Sequence, residues 1–116
     1  MKAKRRTPTQ VNEDNTVYDK PIMLQKQDEE TELWENVQHL HASVNKAGGT
    51  ENFAARADQF HARLQFKLRY YPGFEQVRSA PQLWRIIYNG EQYEIIDYDD
   101  YFERHRVVRL IGKRYD

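Results

Sequence analysis

From Ala62 to Tyr70 the chain alternates without a break, Ala62, Leu64, Phe66, Leu68 and Tyr70 against Arg63, Gln65, Lys67 and Arg69. A two-residue period sends one set to a core and the other to solvent or a partner, which predicts a β-strand. Pro72-Gly73 ends it, and the segment up to Pro81 reads as a connection carrying Phe74 and Val77. Beyond it, residues 83–88 predict a strand, Asn89-Gly90 a tight turn and residues 91–98 the returning strand, since Asn-Gly between β-rich runs is a strong hairpin signal. Asp97, Asp99 and Asp100 with Tyr101 and Phe102 make the next turn. Residues 106–111 close the pattern, Val108 and Leu110 alternating with Val107, Arg109 and Ile111.

The first half is less regular. Residues 1–16 are polar and cannot bury enough surface to offset the entropy of ordering, so they read as a flexible arm. Ile22, Met23 and Leu24, followed by Gln25, Lys26 and Gln27, suggest a first strand entered after Pro21, and Asp28, Glu29, Glu30 and Glu32 a solvated turn. Residues 34–44 satisfy two periods: Val37, Leu40, His41 and Val44 stand at helical spacing, while Leu40, Ala42 and Val44 alternate as a strand would. The run into Gly48-Gly49 and the need of neighbouring strands for a partner favour the strand. Residues 48–59, small and polar around Phe53, read as a long loop or a marginal helix.

The fold class that follows is all-β: one small barrel or sandwich of about six antiparallel strands with a long flexible loop between the second and third. A chain of 116 residues holds one core. The division is a flexible arm over residues 1–16 and a β-barrel domain over residues 17–116.

Charge and chemistry narrow the function. With 18 basic and 18 acidic residues the formal net charge is zero, so the overall field gives no reason to expect general binding to nucleic acid or an anionic membrane. The absence of cysteine excludes disulfides, thiolate metal sites and a cysteine nucleophile. The basic start Lys2, Lys4, Arg5 and Arg6 runs into polar residues and not an apolar stretch, which points to a soluble, non-exported chain. His39 and His41 share a strand face, yet with His61 and His105 they lack a carboxylate or cysteine at a recognisable metal spacing. Asp97, Asp99, Asp100 and Glu103 lack the glycine and glutamate of an EF-hand loop and read as a solvated turn. Ser43 and Ser79 lie outside any nucleophile elbow, and Gly48-Gly49 is not a phosphate loop. No catalytic, metal or cofactor site is expected. The cations Arg63, Lys67, Arg69 and Arg85 read either as a solvated face or as contacts to a neighbouring subunit or to DNA phosphates.

The order of three segments carries a resemblance: Leu64-Gln-Phe-Lys-Leu-Arg-Tyr-Tyr71, Leu83-Trp-Arg-Ile-Ile-Tyr-Asn-Gly-Glu-Gln-Tyr-Glu-Ile-Ile96, and Arg104-His-Arg-Val-Val-Arg-Leu-Ile111. Together with Trp34-x-x-Val37 and Gly49-Thr-Glu-Asn-Phe53 upstream, they resemble the phage head-tail joining proteins, also called head closure, stopper or head completion proteins, of siphophage or prophage type. The connection from Tyr71 to Leu83 is longer than that family's pattern, and the polar arm before Val17 is extra.

The resemblance implies a structural protein of the virion neck and not an enzyme. Such a protein is made in the host cytoplasm and assembles at the head-tail interface as a ring of about twelve copies beneath the portal-adaptor ring, next to the tail completion protein, with packaged DNA in its channel. It also implies that the loop over residues 46–60 (Lys46, Gly48, Gly49, Glu51, Phe53, Arg56 and Phe60) lines or plugs that channel. The rival reading is a small OB-like or SH3-like barrel that binds nucleic acid through basic and aromatic strand faces.

Overall fold

A computed structural model describes residues 16–47 and 63–115. Its elements are β1 (Lys20–Gln27), β2 (Trp34–Lys46), β3 (Arg63–Arg69), the short helix α1 (Phe74–Ser79), a 3-10 turn (Pro81–Leu83), β4 (Trp84–Tyr88), β5 (Glu91–Asp99), a second 3-10 turn (Tyr101–Glu103) and β6 (Val107–Arg114). The six strands are antiparallel in the order β1-β2-β3-β6-β5-β4, and β4 pairs back onto β1. That closure selects a barrel over a sandwich and removes most of the free edges an open sheet would leave.

The alternation read in the sequence decides what faces inward. Ile22 and Leu24 of β1, Ala42 of β2, Phe66 and Leu68 of β3, Trp84 and Ile86 of β4, Tyr93 and Ile95 of β5, and Val108 and Leu110 of β6 form the buried core. Phe66 lies at its middle, edge-on to Tyr88 and Tyr93 at 5.8 and 5.6 Å. Its ring needs the space that Gly112 leaves, because a Cβ there would stand 2.9 Å from Phe66 Cε1 and 3.0 Å from Tyr93 Cβ. The β4–β5 hairpin turns through Asn89 and Gly90, both at positive φ (54° and 81°), as the Asn-Gly pair requires.

In the ambiguous segment the strand period wins. Ala42 is fully buried, whereas Val37, which only the helical spacing called for, is 45% exposed at a bulge opposite Leu24 and Gln25. The connection after Tyr71 does more than link strands. It coils into α1, whose Phe74 and Val77 are fully buried and plug one end of the barrel. Its length is too short for a helical period to show, which is why the sequence suggested only a connection.

At the opposite end, the Ala47 N–H donates to the Arg63 carbonyl at 3.5 Å, so the β2–β3 connection leaves and returns side by side. The expected loop positions Gly48, Gly49, Glu51, Phe53, Arg56 and Phe60, the arm over residues 1–15, Ala62 and His61 lie outside the described residues.

Candidate assembly surface

Since β3 and β4 are three strands apart in either direction round the barrel, Arg63, Lys67 and Arg69 lie on one wall and Arg85 on the opposite one. The four expected contact residues therefore form two surfaces. On the β3 wall, Arg63 is exposed beside Lys113, Lys67 donates through Nζ to Thr16 Oγ1 at 3.3 Å, and the Arg69 guanidinium lies 4.8 Å from the Tyr18 ring. Lys67 also stands 5.8 Å from the Tyr101 ring. Residues 16–18 thus run down the outside of β3 and hold two of its cations.

On the β4 wall, Arg85 lies 4.2 Å over the Trp34 ring, donates through Nε to Gln25 Oε1 at 2.7 Å and through Nη1 to Gln92 Oε1 at 3.2 Å. Gln25 in turn donates to Asn36 Oδ1 at 2.7 Å, giving a polar ladder across β2, β1, β4 and β5. The Trp34 ring and two hydrogen bonds hold the guanidinium against this wall.

The β5–β6 turn corrects one expectation. Asp97 and Asp99 are acids of the outer face and reach Arg109 at 2.8 and 3.6 Å, but Asp100 is 6% exposed and not part of a solvated turn. Its oxygens accept the His105 backbone N–H at 3.0 Å and face His105 Nδ1 at 2.5 Å. Four non-glycine residues of this turn, Tyr101, Phe102, Glu103 and His105, have positive φ, and Phe102 is 88% exposed. A buried carboxylate clamps a strained turn that projects an aromatic ring.

Glu75, Asp100 and His105 bring ligand atoms within 4.8 Å of one another, the kind of trio a metal could use. Each already has a partner: Glu75 accepts from Tyr70 Oη at 2.8 Å and faces Arg78 at 3.6 Å, while Asp100 and His105 hold each other. The trio is a brace between α1 and the turn. His39 and His41 are both exposed on β2, without a further ligand near them among the described residues. No helix among the described residues is long and apolar enough to cross a membrane.

The chain matches a family model described as phage head completion protein over residues 6–114. The chain belongs to that family. A head completion protein is a structural component of the phage head, and the resemblance seen in the three segments from Leu64 onward is to the same family. The solution structure of a Shigella flexneri 2a protein shares the fold, with a TM-score of 0.58 over 88% of this chain and 96% of that one, at 19% identity. No curated protein sequence matches this head completion protein.

Trp34, Glu75, Tyr70 and Phe102 were not singled out as site residues from the sequence. Only Phe102 carried a signal, an aromatic residue in an acidic turn. The others acquire their roles from contacts across the barrel.

Proposed function

We propose that this head completion protein joins the phage head to the tail, assembling after DNA packaging into a ring of about twelve copies beneath the portal-adaptor ring. The family match across nearly the whole chain carries the reading. The geometry supports it in two respects. A subunit of a ring must meet one neighbour on each side, and the ordered cations stand on opposite walls, Arg63, Lys67 and Arg69 on one and Arg85 on the other. The loop over residues 46–60 leaves the end of the barrel away from the α1 plug, which lets that end face a channel while the plugged end faces a partner ring.

In this reading residues 1–16 are an arm and residues 17–116 the barrel that docks. The protein acts by shape, with no catalytic step and no cofactor, and waits in the host cytoplasm until heads are filled. Its partners are the adaptor ring above, the tail completion protein below and the DNA between. The nucleic-acid module is less well supported, because Lys67, Arg69 and Arg85 are engaged within the chain and the formal net charge is zero.

The test is negative-stain microscopy of DNA-filled heads assembled with and without the protein, scored for DNA retention and for joining to purified tails. Loss of both in its absence is the expected outcome. Heads that keep their DNA and accept tails without it would overturn the proposal.

A further inference from the structure

The barrel is closed, yet one of its strands overhangs. β2 pairs with β1 over residues 34–42 but with β3 only over residues 42–46, because β3 ends at Arg69 and the chain turns away into α1. Among the described residues, 34–41 consequently pair on one side alone, and residues 35–39 are exposed without interruption. A strand edge of this kind presents unpaired backbone donors and acceptors to any strand that arrives. Glu35, the bulge at Val37 and the polar Asn36, Gln38 and His39 keep it soluble while it is empty.

The edge begins beside a rigid acidic turn. Asp28 Oδ1 accepts the Glu30 and Thr31 N–H groups at 2.8 and 3.0 Å, and the Asp28 N–H donates to the Leu33 carbonyl at 2.9 Å. Those bonds, Thr31 first and then Glu30, hold the Asp28 carboxyl below its usual range. Glu29, Glu30 and Glu32 are left exposed around it.

The chain also carries a segment of matching charge. Lys2, Lys4, Arg5 and Arg6 lie in residues 1–15, ahead of the described part. The described residues that follow it, 16–18, are tied down on the outside of β3. Tyr18 sits on Arg69 and Thr16 on Lys67, and Lys67 pairs with Ser43, so the chain traced backwards moves along β3 away from residues 34–41.

We propose that residues 34–41 of β2 receive, by β-strand addition, the basic N-terminal arm of a second copy of this chain. Lys2, Lys4, Arg5 and Arg6 meet the acidic turn of the receiving copy, which lays residues 7–14 along residues 34–41 and parallel to them. At about 3.3 Å per residue, the arm spans roughly 50 Å, twice the length of the edge it fills. Pro8 suits a strand added at an edge, where one of its two sides needs no N–H donor. Because each copy gives an arm on one side and takes one on another, the contact is head-to-tail and closes into a ring when the rotation permits. The inference deepens the ring reading and rests on it for the closure of the assembly.

The cysteine-free chain makes the test direct. A Gln10→Cys chain is mixed with a Gln38→Cys chain, both full length, and oxidised at low salt across a series of concentrations. A mixed disulfide in several-fold excess over either homodimer is expected. Lys4→Glu with Arg5→Glu and Arg6→Glu in the donor should lower its yield several-fold, and Glu29→Lys with Glu30→Lys and Glu32→Lys in the receiver should restore it. Homodimers of the Gln38→Cys chain alone would mean that two β2 edges pair, and would overturn the inference. So would an internal disulfide preferred by a chain carrying both cysteines, or no mixed disulfide up to the solubility limit. If the arm contact fails while filled heads still need the protein to keep their DNA, only this inference falls; if the protein is dispensable to the heads, the ring reading falls.

Discussion

His105 lies against the ring of Tyr70, with centroids 4.3 Å apart and 18° between the planes, and this contact ties the end of β3 to the β5–β6 turn. Tyr70 reaches on to Glu75 of α1 at 2.8 Å, and His105 back to buried Asp100. The plugged end of the barrel is thereby one braced unit. Asp100→Ala leaves the His105 N–H without its acceptor in a part-buried turn and should cost about 1–3 kcal/mol. His105→Ala should cost less, since water can reach Asp100 in its place. Urea denaturation of the two variants checks the order, and an Asp100→Ala chain as stable as the parent would refute the brace.

Gly112 gives a second prediction. Gly112→Ala pushes a methyl to 2.9 Å from the buried ring of Phe66 and 3.0 Å from buried Tyr93, and should destabilise the barrel by about 1–3 kcal/mol. If the ring of Phe66 is the obstacle, adding Phe66→Leu should be less costly in the Gly112→Ala background than in the parent. A double-mutant cycle in denaturant measures that coupling.

Phe102 adopts φ 66° and buries almost nothing within its own chain. An L-residue in the left-handed region is strained by about 1–2 kcal/mol, so Phe102→Gly should raise Tm, in part offset by the extra freedom glycine gives the unfolded chain. A calorimetric scan decides. A lowered Tm would show that the ring supports the fold.

Tyrosine burial sets the alkaline limit. Burial raises the pKa of Tyr71, Tyr93 and Tyr115, and most strongly that of Tyr98, where Asp100 and Glu75 add to it. A raised folded pKa favours the neutral phenol in the native state. The stability it contributes is therefore complete below about pH 10, where unfolded tyrosines are still protonated, and is lost as pH climbs from there through the folded values. Tyr98 Oη is buried with no partner among the described residues, so Tyr98→Phe should stabilise the chain at neutral pH by about 1 kcal/mol and flatten the alkaline fall. Denaturation midpoints between neutral pH and pH values above 10 supply the test.

The parts of this fold that were legible in sequence are those fixed by neighbours in the chain. The alternation around Phe66 and the Asn89-Gly90 pair each specify a conformation locally, and both elements stand where they were expected. α1 escaped because six residues hold less than two helical turns, so Phe74 and Val77 could not show a period. Asp100 escaped because its burial depends on His105 folding back over it. The overhang of β2 is less readable still: it exists only because β3 stops at Arg69, and no feature of residues 34–41 reports the length of a strand that follows them. The contact residues divide in the same way. That Arg63, Lys67 and Arg69 share a wall follows from their even spacing on one strand, whereas the placement of Arg85 opposite them required the strand order.

The measurement closest to the central claim is cryo-electron microscopy of the neck of the mature particle, with the chain located in the density. A ring of six-stranded barrels between the portal-adaptor assembly and the tail, plugged ends toward one partner and β2–β3 loops toward the channel, is the expected result. A neck without this barrel, or the barrel found as isolated copies elsewhere in the particle, would contradict the account.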